Sequence, residues 1–128
     1  MAAAWLYLTP VWALAADVET VNVKLKRGVS QPIQLIVLNN PKAAVILFIG
    51  GNGSLGENEN NFLLTTKKRF AEKGLMVALV APPEGMNKVT GKFRISKKHA
   101  GDIIAVMNYL RKKADVPIWM VGTSMGTY

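Results

Sequence analysis

The chain has no cysteine and a single histidine, His99. Lack of cysteine excludes a disulfide framework, a thiolate metal site and a cysteine nucleophile. One histidine without clustered carboxylates does not make a metal site, so no metal and no cofactor are expected. Acidic residues are sparse as well, 8 against 16 Lys and Arg, for a formal charge of +8. Concentrated on one face, that excess would suit nucleic acid or an anionic membrane. It is dispersed instead: Lys24, Lys26 and Arg27 fall on an early strand, Lys67 to Arg69 on a first helix, and Lys97, Lys98 and Arg111 to Lys113 at the two ends of a second. No aromatic-interleaved basic stripe accompanies them, and a solvated surface rather than a nucleic-acid partner is expected. The G-x-x-x-x-G-K-[ST] phosphate loop is also missing.

Residues 1–16 carry no charge and end in Ala13-Leu14-Ala15-Ala16. This reads as a signal peptide with an A-x-A cleavage site, and export to a periplasmic or secreted location is the expectation. An apolar arm packed on a cytoplasmic domain is the alternative, because the start lacks a basic residue and Pro10 interrupts the apolar stretch. The segment is short for a membrane span, and no integral span is expected. Residues 17–128 then form one small domain, and a half-apolar composition fits a globular protein.

Within that domain Val21, Val23 and Leu25 alternate with Asn22, Lys24 and Lys26, the period of a half-exposed strand, and Gly28 ends it. Ile33, Leu35 and Val37 continue the alternation after a break short enough for an antiparallel hairpin. Three continuous apolar runs follow, Ala43 to Ile49, Leu75 to Val80 and Ile118 to Val121, each read as a strand buried on both faces. Helical spacing predicts a helix over about 61–73, with Leu63, Thr66, Phe70 and Ala71 inward and Gly74 as its stop. A second helix is predicted to start at an N-cap, Ser96, with Ala100, Ile103, Ile104, Met107 and Leu110 inward. Strands alternating with helices after a hairpin imply an α/β fold with a mostly parallel sheet and an antiparallel N-terminal hairpin.

The last apolar run leads straight into Gly122-Thr123-Ser124-Met125-Gly126, a G-x-S-x-G string. Where a buried strand turns abruptly into a helix, such a serine is strained and its hydroxyl stands at the strand's carboxyl end; glycines are needed where the helix folds back. Gly50-Gly51-Asn52-Gly53 follows the third strand. On these two motifs and the order of elements, the chain resembles the first half of an α/β-hydrolase-fold protein, most similar to bacterial esterases and dienelactone hydrolases. The resemblance implies Ser124 as nucleophile toward a small-molecule acyl substrate. It also implies an oxyanion hole from the backbone amides of Met125 and Asn52, with Gly51 in the oxyanion loop. The family often has a His-Gly pair where this chain has Gly50-Gly51. A plain glycine-rich turn is the alternative reading of that loop.

The resemblance further implies an acid and a general-base histidine after the serine, and the sequence has only Tyr128 beyond Thr127. The expectation is a domain truncated after the nucleophile elbow, inactive by itself. A triad of Ser124 with His99 and Asp102 is the weaker alternative, since residues three apart on a helix share a face and orient one another poorly. His99 is otherwise a candidate for the pocket rim. Ser54, Glu57 and Glu59 read as a polar surface turn. A different class of reading is a non-enzymatic α/β module that associates, with itself or a partner, through an exposed strand edge.

Overall fold

The computed structural model describes residues 17–128; the leader expected over residues 1–16 lies outside them. Five strands form one sheet: β1 (Glu19–Lys24), β2 (Ser30–Ile36), β3 (Ala43–Phe48), β4 (Leu75–Val80) and β5 (Ile118–Gly122). Their spatial order is β1-β2-β4-β3-β5. β1 and β2 make an antiparallel hairpin around Gly28, whose φ of +89° is the conformation glycine adopts without cost. β2 is antiparallel to β4, while β3 runs parallel to both β4 and β5.

Three helices connect the parallel part: α1 (Phe62–Glu72), the single turn α2 (Gly91–Arg94) and α3 (Lys97–Lys113). Each begins on a side-chain cap. Asn61 accepts from the Leu63 amide, Thr90 from Phe93 and Ser96 from His99, which satisfies N–H groups that a helix start leaves unpaired. Alternate residues of β3 divide between two cores. Ala44, Ile46 and Phe48 face α3 through Val106 and Leu110, whereas Val45, Leu47 and Ile49 face α1 through Leu63 and Ala71. Burial of each such Ile or Leu contributes about 1.5–3 kcal/mol, and all six β3 residues are buried.

Two expectations change. β5 is not buried on both faces: Trp119 and Met120 are 67% and 58% exposed, because β5 lies at the sheet edge and the helices cover the strands beside it. The inner face of α3 is the expected one only in part: Ile103, Met107 and Leu110 pack on the core as expected, and the first turns differ. His99, Asp102, Val106 and Leu110 are buried, while Ala100 and Ile104 are exposed. A count of apolar residues alone passes over this face, since its first turns bury two polar side chains. Among the described residues no helix is long and apolar enough to cross a membrane.

Candidate active site

β3 and β5 are paired in parallel as far as Phe48 opposite Gly122, so the segments leaving their carboxyl ends start side by side. The Thr123 amide extends the pairing by donating to the Phe48 carbonyl at 3.2 Å. The chain then turns sharply: Ser124 has φ +51°, a left-handed conformation that a non-glycine residue adopts at a cost of about 1–3 kcal/mol. A single 3-10 turn, Ser124–Thr127, follows at once. Ser124 is exposed, as the sharp turn requires of a serine carried at the strand's end.

The glycines are steric necessities. A β-carbon on Gly122 would lie 2.2 Å from the Gly126 carbonyl oxygen, and one on Gly126 would lie 2.1 Å from the Phe48 carbonyl oxygen. Both obstacles are backbone and cannot swing aside. Gly50 belongs to the same contact, since its β-carbon would meet the Thr123 carbonyl oxygen at 2.8 Å and the Ser124 β-carbon at 3.0 Å. The loop after β3 is thereby pressed against the turn after β5.

That loop is held by its carbonyls. The Ile49 and Gly51 oxygens accept from one terminal nitrogen of Arg94 at 3.2 and 3.3 Å. The Gly50 oxygen accepts from the Gly53 amide, and the Asn52 oxygen from the Val89 amide at 2.6 Å. The Asn52 side chain closes the turn locally, its Oδ1 accepting from the Ser54 amide at 2.9 Å and from Asn58 at 2.8 Å, while its Nδ2 donates to Glu57. No acceptor for the Gly51 or Asn52 amide is found among the described residues. The Met125 amide, in the first turn of its 3-10 segment, is one of the donors that a helix start leaves free. The segment Gly51 to Gly56 does carry the letters G-x-G-x-x-G, the dinucleotide fingerprint. The expected context is missing, because the glycines run into turns and α1 begins only at Phe62.

His99 and Asp102 do not form a triad arrangement. Both oxygens of Asp102 are taken by Arg27, at 3.0 and 3.1 Å, and Asp102 therefore orients no imidazole. The Arg27 guanidinium is held above its usual pKa by this hydrogen bond and by the charge of Asp102. His99 is buried between Phe48 and Phe93, with ring centroids 6.0 and 5.1 Å away. Burial lowers its pKa, and the neighbouring Arg94 lowers it further against an opposing effect of Asp102. Among the described residues its Nδ1 has no hydrogen-bond partner, and neither has Arg94 Nε. Both residues line a cavity of about 10 Å³ with Phe48, Ile49, Gly53 and Val89, space for one water molecule.

Arg94 is the residue that the sequence reading missed. One arginine in a stretch of basic residues looks solvated, yet it is only 6% exposed, and burial pulls its pKa below the usual arginine value. The available signal was Thr90, whose cap starts the short helix that turns Arg94 inward.

No protein-family model and no curated protein sequence matches the chain. Solved structures do. An esterase of Pyrococcus furiosus, Pf2001, superposes with a TM-score of 0.66 at 18% identity, over 89% of this chain and 43% of its own. EstE1, a thermostable carboxylesterase from a metagenomic library, gives 0.61 at 18% over 88% of this chain and 38% of its own. The fold is that of the α/β hydrolases. An α/β serine hydrolase homologue from Coxiella burnetii agrees, with a TM-score of 0.60 at 18% identity over 86% of this chain and 53% of its own. The chain thus spans roughly two fifths to a half of the α/β hydrolases it resembles.

Proposed function

We propose that the chain carries the nucleophile and oxyanion hole of a serine hydrolase that cleaves an ester or related acyl bond of a small molecule. The observation that supports this best is Ser124, exposed in a left-handed turn between β5 and a 3-10 segment, with Gly50 packed against it. Ser124 Oγ attacks the acyl carbonyl carbon and gives its proton to a base. The oxyanion that forms accepts from the Met125 amide and, across the Gly50 contact, from Asn52. Collapse of the tetrahedral species expels the alcohol with a proton, and water then hydrolyses the acyl-enzyme.

The base and acid do not come from the described residues: His99 is buried against two phenylalanines and Asp102 is bound to Arg27. The 128-residue chain alone is therefore proposed to be inactive or nearly so. Short-chain p-nitrophenyl esters test the reading in the presence of added imidazole as a diffusible base. Hydrolysis above the imidazole background that is lost in Ser124→Ala supports it; equal rates in both proteins contradict it.

A second reading, a binding module without catalysis, draws on one observation. The exposed Trp119 and Met120 make β5 an apolar edge suited to a partner strand. In that case Ser124→Ala leaves every property of the chain unchanged.

A further inference from the structure

We propose that Arg94 is a positioning residue that turns the loop after β3 into an array of hydrogen-bond donors facing away from its guanidinium. This rests on the proposed hydrolase reading and deepens it, because it names what orients the Asn52 amide.

Four consecutive carbonyls, those of Ile49, Gly50, Gly51 and Asn52, are all engaged, two of them by Arg94. In a trans peptide the C=O and the following N–H point in opposite directions. With the Gly51 carbonyl drawn to Arg94, the Asn52 N–H points away from it; with the Ile49 carbonyl drawn there too, so does the Gly50 N–H. The four carbonyls are engaged and the Gly53 amide is spent on one of them, while the Gly51 and Asn52 amides find no acceptor among the described residues, as an oxyanion requires.

A buried arginine is an expensive way to hold two carbonyls unless its charge is also used. Among the described residues Arg94 has no carboxylate partner, whereas Arg27, the other arginine facing this end of α3, is paired with Asp102. The 6% exposure of Arg94 leaves its charge poorly screened by water. An uncompensated cation behind the Gly51 and Asn52 amides favours negative charge on the far side of the loop. Arginine suits the position over lysine because the planar guanidinium fixes the directions of the two N–H bonds on that one nitrogen, which a rotating ammonium does not.

The test is a titration of the ¹⁵N-labelled full chain with phenylboronic acid, which forms a tetrahedral anion on a serine oxygen and so imitates the charged intermediate. Wild type, Arg94→Lys, Arg94→Met and Ser124→Ala are compared. In the wild type the boronate is expected to shift the Asn52 and Met125 amides to saturation. Arg94→Met should weaken binding about tenfold or more, and Arg94→Lys less, the equivalent of one lost or misdirected hydrogen bond. Both variants should displace the Gly50 to Gly53 amide resonances while those of β1 to β4 stay in place. If Arg94→Met does not fold, Arg94→Lys decides alone.

A variant that keeps the wild-type Gly50 to Gly53 resonances, or that binds boronate as the wild type does, overturns the inference. Failure of the hydrolase reading looks different. Ser124→Ala would then bind as well as the wild type, or no protein would bind, and the Gly50 to Gly53 resonances of Arg94→Lys would still decide whether Arg94 sets the loop.

Discussion

At the scale of single residues, the strain at Ser124 is the feature most open to measurement. Alanine at this position keeps the φ of +51° that a β-carbon resists, while glycine relieves it. Ser124→Gly is expected to be more stable than Ser124→Ala by about 1 kcal/mol in denaturant melts; equal stabilities would mean an unstrained turn. His99 gives a second prediction. Its surroundings are Phe48 and Phe93, the Arg94 cation, and Asp102 already paired with Arg27. Its folded pKa lies below the ordinary 6.5, so between the two values the unfolded chain binds the extra proton. The stability due to neutral His99 is complete above about pH 6.5 and declines as the pH falls below it. Melts from pH 7.5 to 5 should show this slope in the wild type and a flatter one in His99→Gln. The serine and its glycines were legible in the sequence because a steric rule fixes their spacing. Arg94 was not, since nothing local separates a buried arginine from the lysines around it.

At the scale of elements, α3 shows why periodicity located a helix and the inward side of its later turns, Ile103, Met107 and Leu110, but not the buried polar side chains of its first turns. Ser96 and the apolar repeat mark the start and the period, and both agree with the structure. In the first turns Asp102 is buried because it reaches Arg27 in the turn of the hairpin, which ties α3 there. A hydrophobicity pattern cannot register an ion pair between residues 75 apart in the chain. Arg27→Ala leaves a buried carboxylate without its cation. Because the Arg27 side chain is 33% exposed and water can partly replace it, the expected loss is about 2 kcal/mol rather than the 3–5 kcal/mol of a fully buried pair. Chemical denaturation of Arg27→Ala, of Asp102→Asn and of the double variant gives the coupling, and an undiminished stability in Arg27→Ala would reduce the contact to a surface one.

At the scale of the whole molecule, strand and helix order were readable because parallel strands covered on both faces write uninterrupted apolar runs. β5 wrote such a run as well, Ile118 to Val121, yet two of its side chains face solvent. The apolar run alone shows how apolar a strand is; that β5 lies at an open edge follows from the strand order that the resemblance implies, and the structure has it there. The open edge predicts concentration-dependent association of the 128-residue chain, reduced in Trp119→Lys, which sedimentation velocity can follow. A monomer at all concentrations would show the edge to be inert.

The central claim is the proposed one, that Ser124 is a nucleophile whose base and acid do not come from the described residues. Fluorophosphonate modification of the chain, located by peptide mass spectrometry with and without added imidazole, tests it most directly. The account predicts an adduct on Ser124 that forms slowly alone, accelerates with imidazole and disappears in Ser124→Ala. Modification that ignores the substitution, or an elbow serine that stays unmodified with imidazole present, would contradict it.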